Sequence, residues 1–201
     1  MLDWLTGKGD PTFWKAYLEH FEKEAPNTPT RYVIFDCERT GLDWKQDVIL
    51  SIGCVGVTND QIEIGDFLEV FIKQENRIQQ NEAVEKLFKA DSTEAVTEAE
   101  AMMHFLGHIK NATLIGHNTN LDIEMMNQAL KRMNLGKIKN NVLDINVMYQ
   151  RFKNLPEDQH HTLDELCDLF KVKKSHRHTA SNDAYITALL FLKLKRKLKM
   201  K

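Results

Sequence analysis

An apolar run, Tyr32 to Phe35, leads straight into Asp36 and Glu38 in the stretch YVIFDCERTG. Such a run reads as a buried strand, and on a strand residues two apart point to the same face. The two carboxylates therefore converge at the end of an element that the core encloses. Ionised groups are costly to bury alone, and like charges that close must share a proton or a cation. Any fold open to this chain must supply that compensation, and a divalent metal is the natural source. In a chain with 29 acidic residues, a lone Asp-x-Glu is ordinarily surface acidity. What sets Asp36 apart is its place directly after a buried strand, where sheet ends carry sites.

A second Asp-x-Glu, Asp122 with Glu124, lies in a helical pattern, where residues two apart diverge around the axis. That pair is no clamp. In HNTNLDIEMMNQALKRM, Asp122 shares its face with Met125, Met126, Ala129 and Met133 and points toward the core, while Glu124 points outward. Asp183 is in register with Ile186, Thr187, Leu190 and Leu194, again an acid on an inward face. Either acid alone is equally well read as a first-turn acid favoured by the helix macrodipole. Taken together with the strand pair, four inward carboxylates exceed what a core tolerates unless they ligate hard cations.

His117 and His178 each stand five residues before an aspartate, so spacing does not choose between them. His178 lies in a polar run, KKSHRHTASN, that can reach a solvent-filled site. His117 closes a strand and suits a structural or substrate-positioning bond. His160, His161 and His176 read as exposed-loop histidines, and a zinc site built from them has no supporting cysteine.

Around these residues the pattern is one of strands followed by helices interleaved with further strands. YVIF, VILSIGCVGV and IEIGDFLEVFI, the last two joined by the turn-like TND, predict an antiparallel meander. Capping boxes at Thr97 to Glu100 and Thr162 to Glu165 open two helices. TLIGH predicts a short buried strand, the segment from Asn120 to Met133 a helix, and NVLDINVMY a fifth strand or a strand-to-helix junction. A last helix runs from about Ser181 into a tail with six basic residues in nine, read as a solvated helix end with substrate contact as the alternative. The result is a mixed sheet covered by helices, an α/β or α+β layered domain.

Residues 1–30 read as a helical extension and 31–201 as the main domain. Phe13, Trp14, Tyr17, Leu18 and Phe21 form a helical stripe that packs on the same domain or, alternatively, docks another protein such as a polymerase. Three cysteines with no CxxC pair encode neither a disulfide framework nor a thiolate zinc site. With no signal peptide and no apolar segment long enough for a bilayer, the expected location is cytoplasmic, without a membrane partner. A net charge of -2 excludes bulk basicity as a nucleic-acid footprint and permits a partner that touches few phosphates.

Asp36-x-Glu38 followed by Thr40-Gly41, then GHNTNLD ending in Asp122, then His178 with four residues before Asp183, resembles the DEDDh family of 3′-to-5′ exonucleases, the DnaQ-like group. The resemblance spans roughly Arg31 to Leu194. It implies a ribonuclease H-like α/β fold with a central five-stranded mixed sheet flanked by helices. It further implies that Asp36, Glu38, Asp122 and Asp183 bind two magnesium or manganese ions and that His178 is the general base. Thr40, Gly41, Leu42, His117 and Asn118 are the expected substrate contacts, with Leu42 or Trp44 stacking on terminal bases and Trp44 better read as core packing.

The expected activity is hydrolysis of single-stranded DNA 3′ ends to nucleoside 5′-monophosphates, in a repair or proofreading-type role. RNA 3′ ends are the alternative substrate, and a catalytically silent nucleic-acid-binding module is the alternative of a different class. Two positions depart from the family pattern. Arg39 stands where threonine is usual, and Leu121 where phenylalanine is usual.

Overall fold

A computed structural model describes residues 9–22, 30–73, 95–174, 177 and 179–200. The meander forms as β1 (Arg31–Arg39), β2 (Ile49–Thr58) and β3 (Gln61–Phe71). β4 (Thr113–Gly116) and β5 (Val142–Asp144) complete a sheet of order β3-β2-β1-β4-β5. The first three strands pair antiparallel, whereas β1 with β4 and β4 with β5 pair parallel. This is the mixed five-stranded sheet that the pattern predicts. β1 runs past its apolar residues as far as Arg39, so Asp36 and Glu38 lie on the strand itself.

Helices α1 (Thr12–Glu22), α2 (Glu98–Ile109) and α3 (Thr119–Arg132) accompany one face, and α4 (Ile145–Lys153), α5 (Leu163–Phe170) and α6 (Ala180–Lys197) the other. The period-two alternation of β1 divides the core between them. Val33, Phe35 and Cys37 enter the cluster beneath α2 and α3, where Phe35 meets Phe105 with ring centroids 6.2 Å apart. Tyr32 and Ile34 enter the cluster beneath α6, where Tyr32 meets Phe191 at 4.9 Å. Asp36 and Glu38 continue the row of Tyr32 and Ile34 and so belong to the α6 side.

Both capping boxes form as the sequence predicts: the hydroxyls of Thr97 and Thr162 accept from the third backbone N–H of their helices, and Glu100 and Glu165 reach back to the caps. The segment NVLDINVMY is both of its expected forms in succession, a three-residue strand that becomes α4. Asp144 at that junction serves two helices, accepting from Thr119 N–H at the start of α3 and from Asn146 N–H at the start of α4, each at 2.8 Å.

The aromatic stripe of α1 is covered by the domain. Trp14 and Tyr17 are buried, and the Tyr17 hydroxyl donates to Asn140 at 2.7 Å while accepting from Lys139 N–H at 2.8 Å. Phe13, Leu18 and Phe21 of the same stripe pack against the core and remain partly exposed. In the basic tail, Lys195 departs from the solvated-end reading. It is buried, donates to Asp60 in the β2–β3 turn at 2.6 Å, and lies 5.1 Å from the Tyr32 ring centroid. Its job is to pin α6 to that turn. Cys37, Cys54 and Cys167 are buried free thiols, and no helix among the described residues is long and apolar enough to cross a membrane.

Candidate active site

The strand pairing places Gly53 of β2 opposite Asp36 of β1. Gly53 faces the start of α6, and a Cβ there would lie 2.3 Å from the backbone of Ala180 and Ser181. Only the missing side chain lets the first turn of α6 rest on the sheet. That close seat carries Asp183, one turn along the helix, to the end of β1. Carboxylate oxygens of Asp36, Glu38 and Asp183 lie within 4.8 Å of one another. Asp122, on the first turn of α3, lines the same cavity of about 310 Å³, together with Asp36, Asp183, Arg39, Arg177, His117 and Asn118.

Asp122 and Asp183 are enclosed, 3% and 6% exposed, while Asp36 and Glu38 are half-buried. Burial, and then the charges of Asp122, Asp183 and Glu38, push the Asp36 carboxyl well above the usual carboxylate range, against the pull of Arg39. Asp122 is pushed up to about 7 by burial, with Arg39 again opposing. Part of the compensation comes from within the chain: Arg39 pairs through Nη1 with Asp122 Oδ1, and Arg177 through Nη1 with Asp183 Oδ1. Arg177 also donates through Nε to Asp164 Oδ1 at 3.0 Å. Three clustered carboxylates offering only hard oxygen donors suit a hard divalent cation better than a softer ion.

Thr40 and Gly41 are shaped by Asp47. The Thr40 hydroxyl donates to Asp47 Oδ1 at 2.8 Å, and a Cβ on Gly41 would fall 2.5 Å from Asp47 Oδ2. A side chain at that position would displace the Asp47 carboxylate that the Thr40 hydroxyl and Asp43 N–H hold. Leu42 is 77% exposed, whereas Trp44 packs on the core, as its sequence context favours. His117 Nε2 meets the His161 carbonyl at 2.8 Å, the structural bond expected of a strand-closing histidine. Asn118 takes a left-handed conformation (φ 56°) and makes no side-chain cap to α3, a role that Asp144 fills. His178 and His176 lie outside the described residues.

Sequence reasoning does not find Arg177, because nothing in its spacing links it to Asp183 beyond proximity in a polar run. It also places His161 in an exposed loop. His161 is half-buried instead, its ring 4.8 Å from that of Tyr149, and it lines the acid cavity. The signal is tertiary: the side chain of Asn146 holds this loop, accepting from His161 N–H at 3.1 Å and lying 2.9 Å from His160 Nδ1.

Residues 33–191 match the family profile RNase_T, described as exonuclease. A PolC-type DNA polymerase III of Caldanaerobacter subterraneus subsp. tengcongensis is 34% identical over 174 residues, covering 83% of this chain and 12% of that protein. The PolC-type DNA polymerase III of Bacillus subtilis is 29% identical over 197 residues, covering 94% of this chain and 13% of that protein. The chain thus spans about an eighth of the length of these relatives. Among solved structures, E. coli exonuclease I in complex with a dT13 oligonucleotide superposes with a TM-score of 0.68 at 16% identity, covering 85% of this chain and 42% of that one. At that identity the likeness carries the fold alone, and it agrees with the ribonuclease H-like architecture.

Proposed function

The chain belongs to the RNase_T exonuclease family, and on that footing we propose that it is a two-metal 3′-to-5′ exonuclease releasing nucleoside 5′-monophosphates from single-stranded DNA. The observation that carries this reading is the meeting of Asp36, Glu38 and Asp183 within 4.8 Å, beside Asp122 in one cavity. In this proposal the four acids hold two Mg²⁺ or Mn²⁺ ions. Bound there, the ions neutralise charge at the scissile phosphate and acidify a water.

The chain's own groups do the rest. His178, by its place in the third motif, takes the proton of the attacking water, a task suited to an imidazole with an unperturbed pKa near 6.5. Arg39 and Arg177 each lie one ion pair away from a ligand carboxylate and are positioned to meet phosphate oxygens when the carboxylates turn to metal. His117 and Asn118 line the cavity where the terminal nucleotide must sit, and Leu42 offers an exposed apolar contact nearby in sequence. DNA is favoured over RNA because the relatives named above are DNA polymerases. The same relatives support a proofreading or repair-type setting.

The test uses 5′-labelled single-stranded DNA and RNA incubated with Mg²⁺, Mn²⁺ or EDTA. A ladder shortening from the 3′ end of DNA with metal, and none with EDTA, is expected. A faster ladder on RNA would move the substrate to RNA, and no ladder on either would overturn the proposal.

A further inference from the structure

A second cavity, of about 660 Å³, lies at the opposite ends of the three helices that border the acid site. The first turns of α4, α5 and α6 all reach the acid cavity: Asn146 holds the His160–His161 loop, and Leu163 and Asp183 line the cavity itself. Their last turns surround the second cavity. Its floor is apolar and aromatic, made by Phe152, Leu169 and Phe170, with Leu169 55% exposed and the two phenylalanine rings 6.5 Å apart. Its rim carries five cations, Lys153, Lys171, Lys193, Arg196 and Lys197, and its lining includes no acid.

Basic side chains at helix C-termini ordinarily complement the macrodipole. Here the magnitudes leave a surplus. Three helix ends contribute about half a negative charge each, roughly -1.5 in all, against five full positive charges. None of the five has a carboxylate partner among the described residues, in contrast to Arg31, Arg132, Lys174, Arg177 and Lys195. Nor does dipole compensation call for partly exposed phenylalanine rings and an exposed leucine between the charges. A ligand that fits presents both negative charges and flat apolar faces, which is the chemistry of a single-stranded nucleic acid.

We infer that this groove binds the strand upstream of the nucleotide being removed, an inference that rests on the nuclease reading of the acid cavity. The two cavities share a wall. Tyr149 lines the groove, and its ring stands 4.8 Å from that of His161, which lines the acid cavity. Along α5, Leu163 at one cavity and Phe170 at the other are seven residues apart, about 10 Å at 1.5 Å per residue. That separation equals about three nucleotides of a stacked strand at 3.4 Å each. The groove therefore engages bases from about the fourth onward against Phe152 and Phe170, with phosphates farther along at Lys193, Arg196 and Lys197, which lie on one face of α6, ten to fourteen residues, about 15–21 Å, beyond Asp183.

The test is fluorescence anisotropy of a labelled dT12 strand without divalent metal, so that nothing is cut and the readout is independent of hydrolysis. Two variants are compared with the unaltered chain over a range of salt: the combined Lys153→Gln, Arg196→Gln, Lys197→Gln, and Leu169→Glu, which leaves every rim cation in place. Thermal melting confirms that each folds. The neutralised variant is expected to bind tenfold or more weakly and to flatten the slope of log affinity against log salt by about 2, at roughly 0.7 for each phosphate no longer neutralised. Leu169→Glu is expected to weaken binding with less change in slope. Unaltered affinity and slope in both variants would overturn the inference and leave the groove to an acidic protein segment. Failure to cut any strand, with these binding differences intact, would instead count against the nuclease reading alone.

Discussion

Gly53 and Asp36 face each other across the β1–β2 pairing, and the absence of a side chain on the first is what brings Asp183 to the second. The approach is between backbone and backbone, with a would-be Cβ 2.3 Å from the Ala180 carbonyl carbon and the Ser181 nitrogen, so no flexible side chain can give way. Gly53→Ala must therefore displace the first turn of α6. Displacing the Asp183 carboxylate by about 1 Å is expected to lower turnover by about 10²-fold, with a stability cost of about 1–3 kcal/mol from overpacking. Steady-state kinetics and a thermal melt on the same preparation check both; unchanged turnover would show that the seat of α6 is not what sets the cluster.

In the proposed metal site, Arg39, which pairs with Asp122, would compete with an ion for that carboxylate. Arg39→Thr removes the guanidinium and restores the residue usual in the resembled family. Metal affinity is expected to rise on the order of tenfold or more, since a hydrogen bond between charged groups is worth about 1.5–3 kcal/mol. The metal-free protein is expected to lose stability, because Asp122 is left buried without its partner. Calorimetric titration with Mn²⁺ together with metal-free melting measures the two effects, and weaker metal binding in the variant would mean that Arg39 supports the site rather than competes for it.

The Asp36 carboxyl is held above its ordinary range by burial and by Asp122, Asp183 and Glu38. A group whose folded pKa exceeds its unfolded value, about 3.9 for aspartate, favours the fold below that value and loses this contribution as pH rises through the folded one. Metal-free protein is thus expected to lose stability on going from pH 4 to neutrality. Asp36→Asn removes that loss, so the variant should melt above the unaltered chain at pH 7 without metal, and the gap should close toward pH 4. Added Mg²⁺ should stabilise the unaltered chain and not the variant. Melting curves in EDTA and in Mg²⁺ across this pH range decide it.

His178→Ala is expected to slow turnover by ~10²-fold or more while metal binding is kept, the pattern of a lost general base. His117→Ala should cost less, because its imidazole is engaged with the His161 carbonyl. The reverse order of effects would transfer the role to His117.

Much of this site is legible in the amino-acid sequence, and for identifiable reasons. Period-two geometry places Asp36 and Glu38 on one face, and helical period places Asp122 and Asp183 inward, because both patterns depend only on local chain geometry. Capping boxes fix two helix starts for the same reason. What stays hidden is tertiary. The seat of α6 on Gly53 depends on how a strand and a helix distant in sequence meet, as the approach of Gly53 to Ala180 shows. The pairing of Arg177 with Asp183 and the burial of Lys195 against Tyr32 and Asp60 likewise need the assembled sheet. The five groove cations are divided among three helices, so in sequence they look like three unrelated basic helix ends.

That these acids gather to hold divalent cations is tested most directly by crystals of the protein grown with Mn²⁺ and measured at a wavelength where manganese scatters anomalously. Anomalous peaks are expected between Asp36, Glu38 and Asp183, with Asp122 turned toward the metal. Well-ordered crystals with no peak at that cluster, at Mn²⁺ concentrations that support strand cleavage, would contradict it.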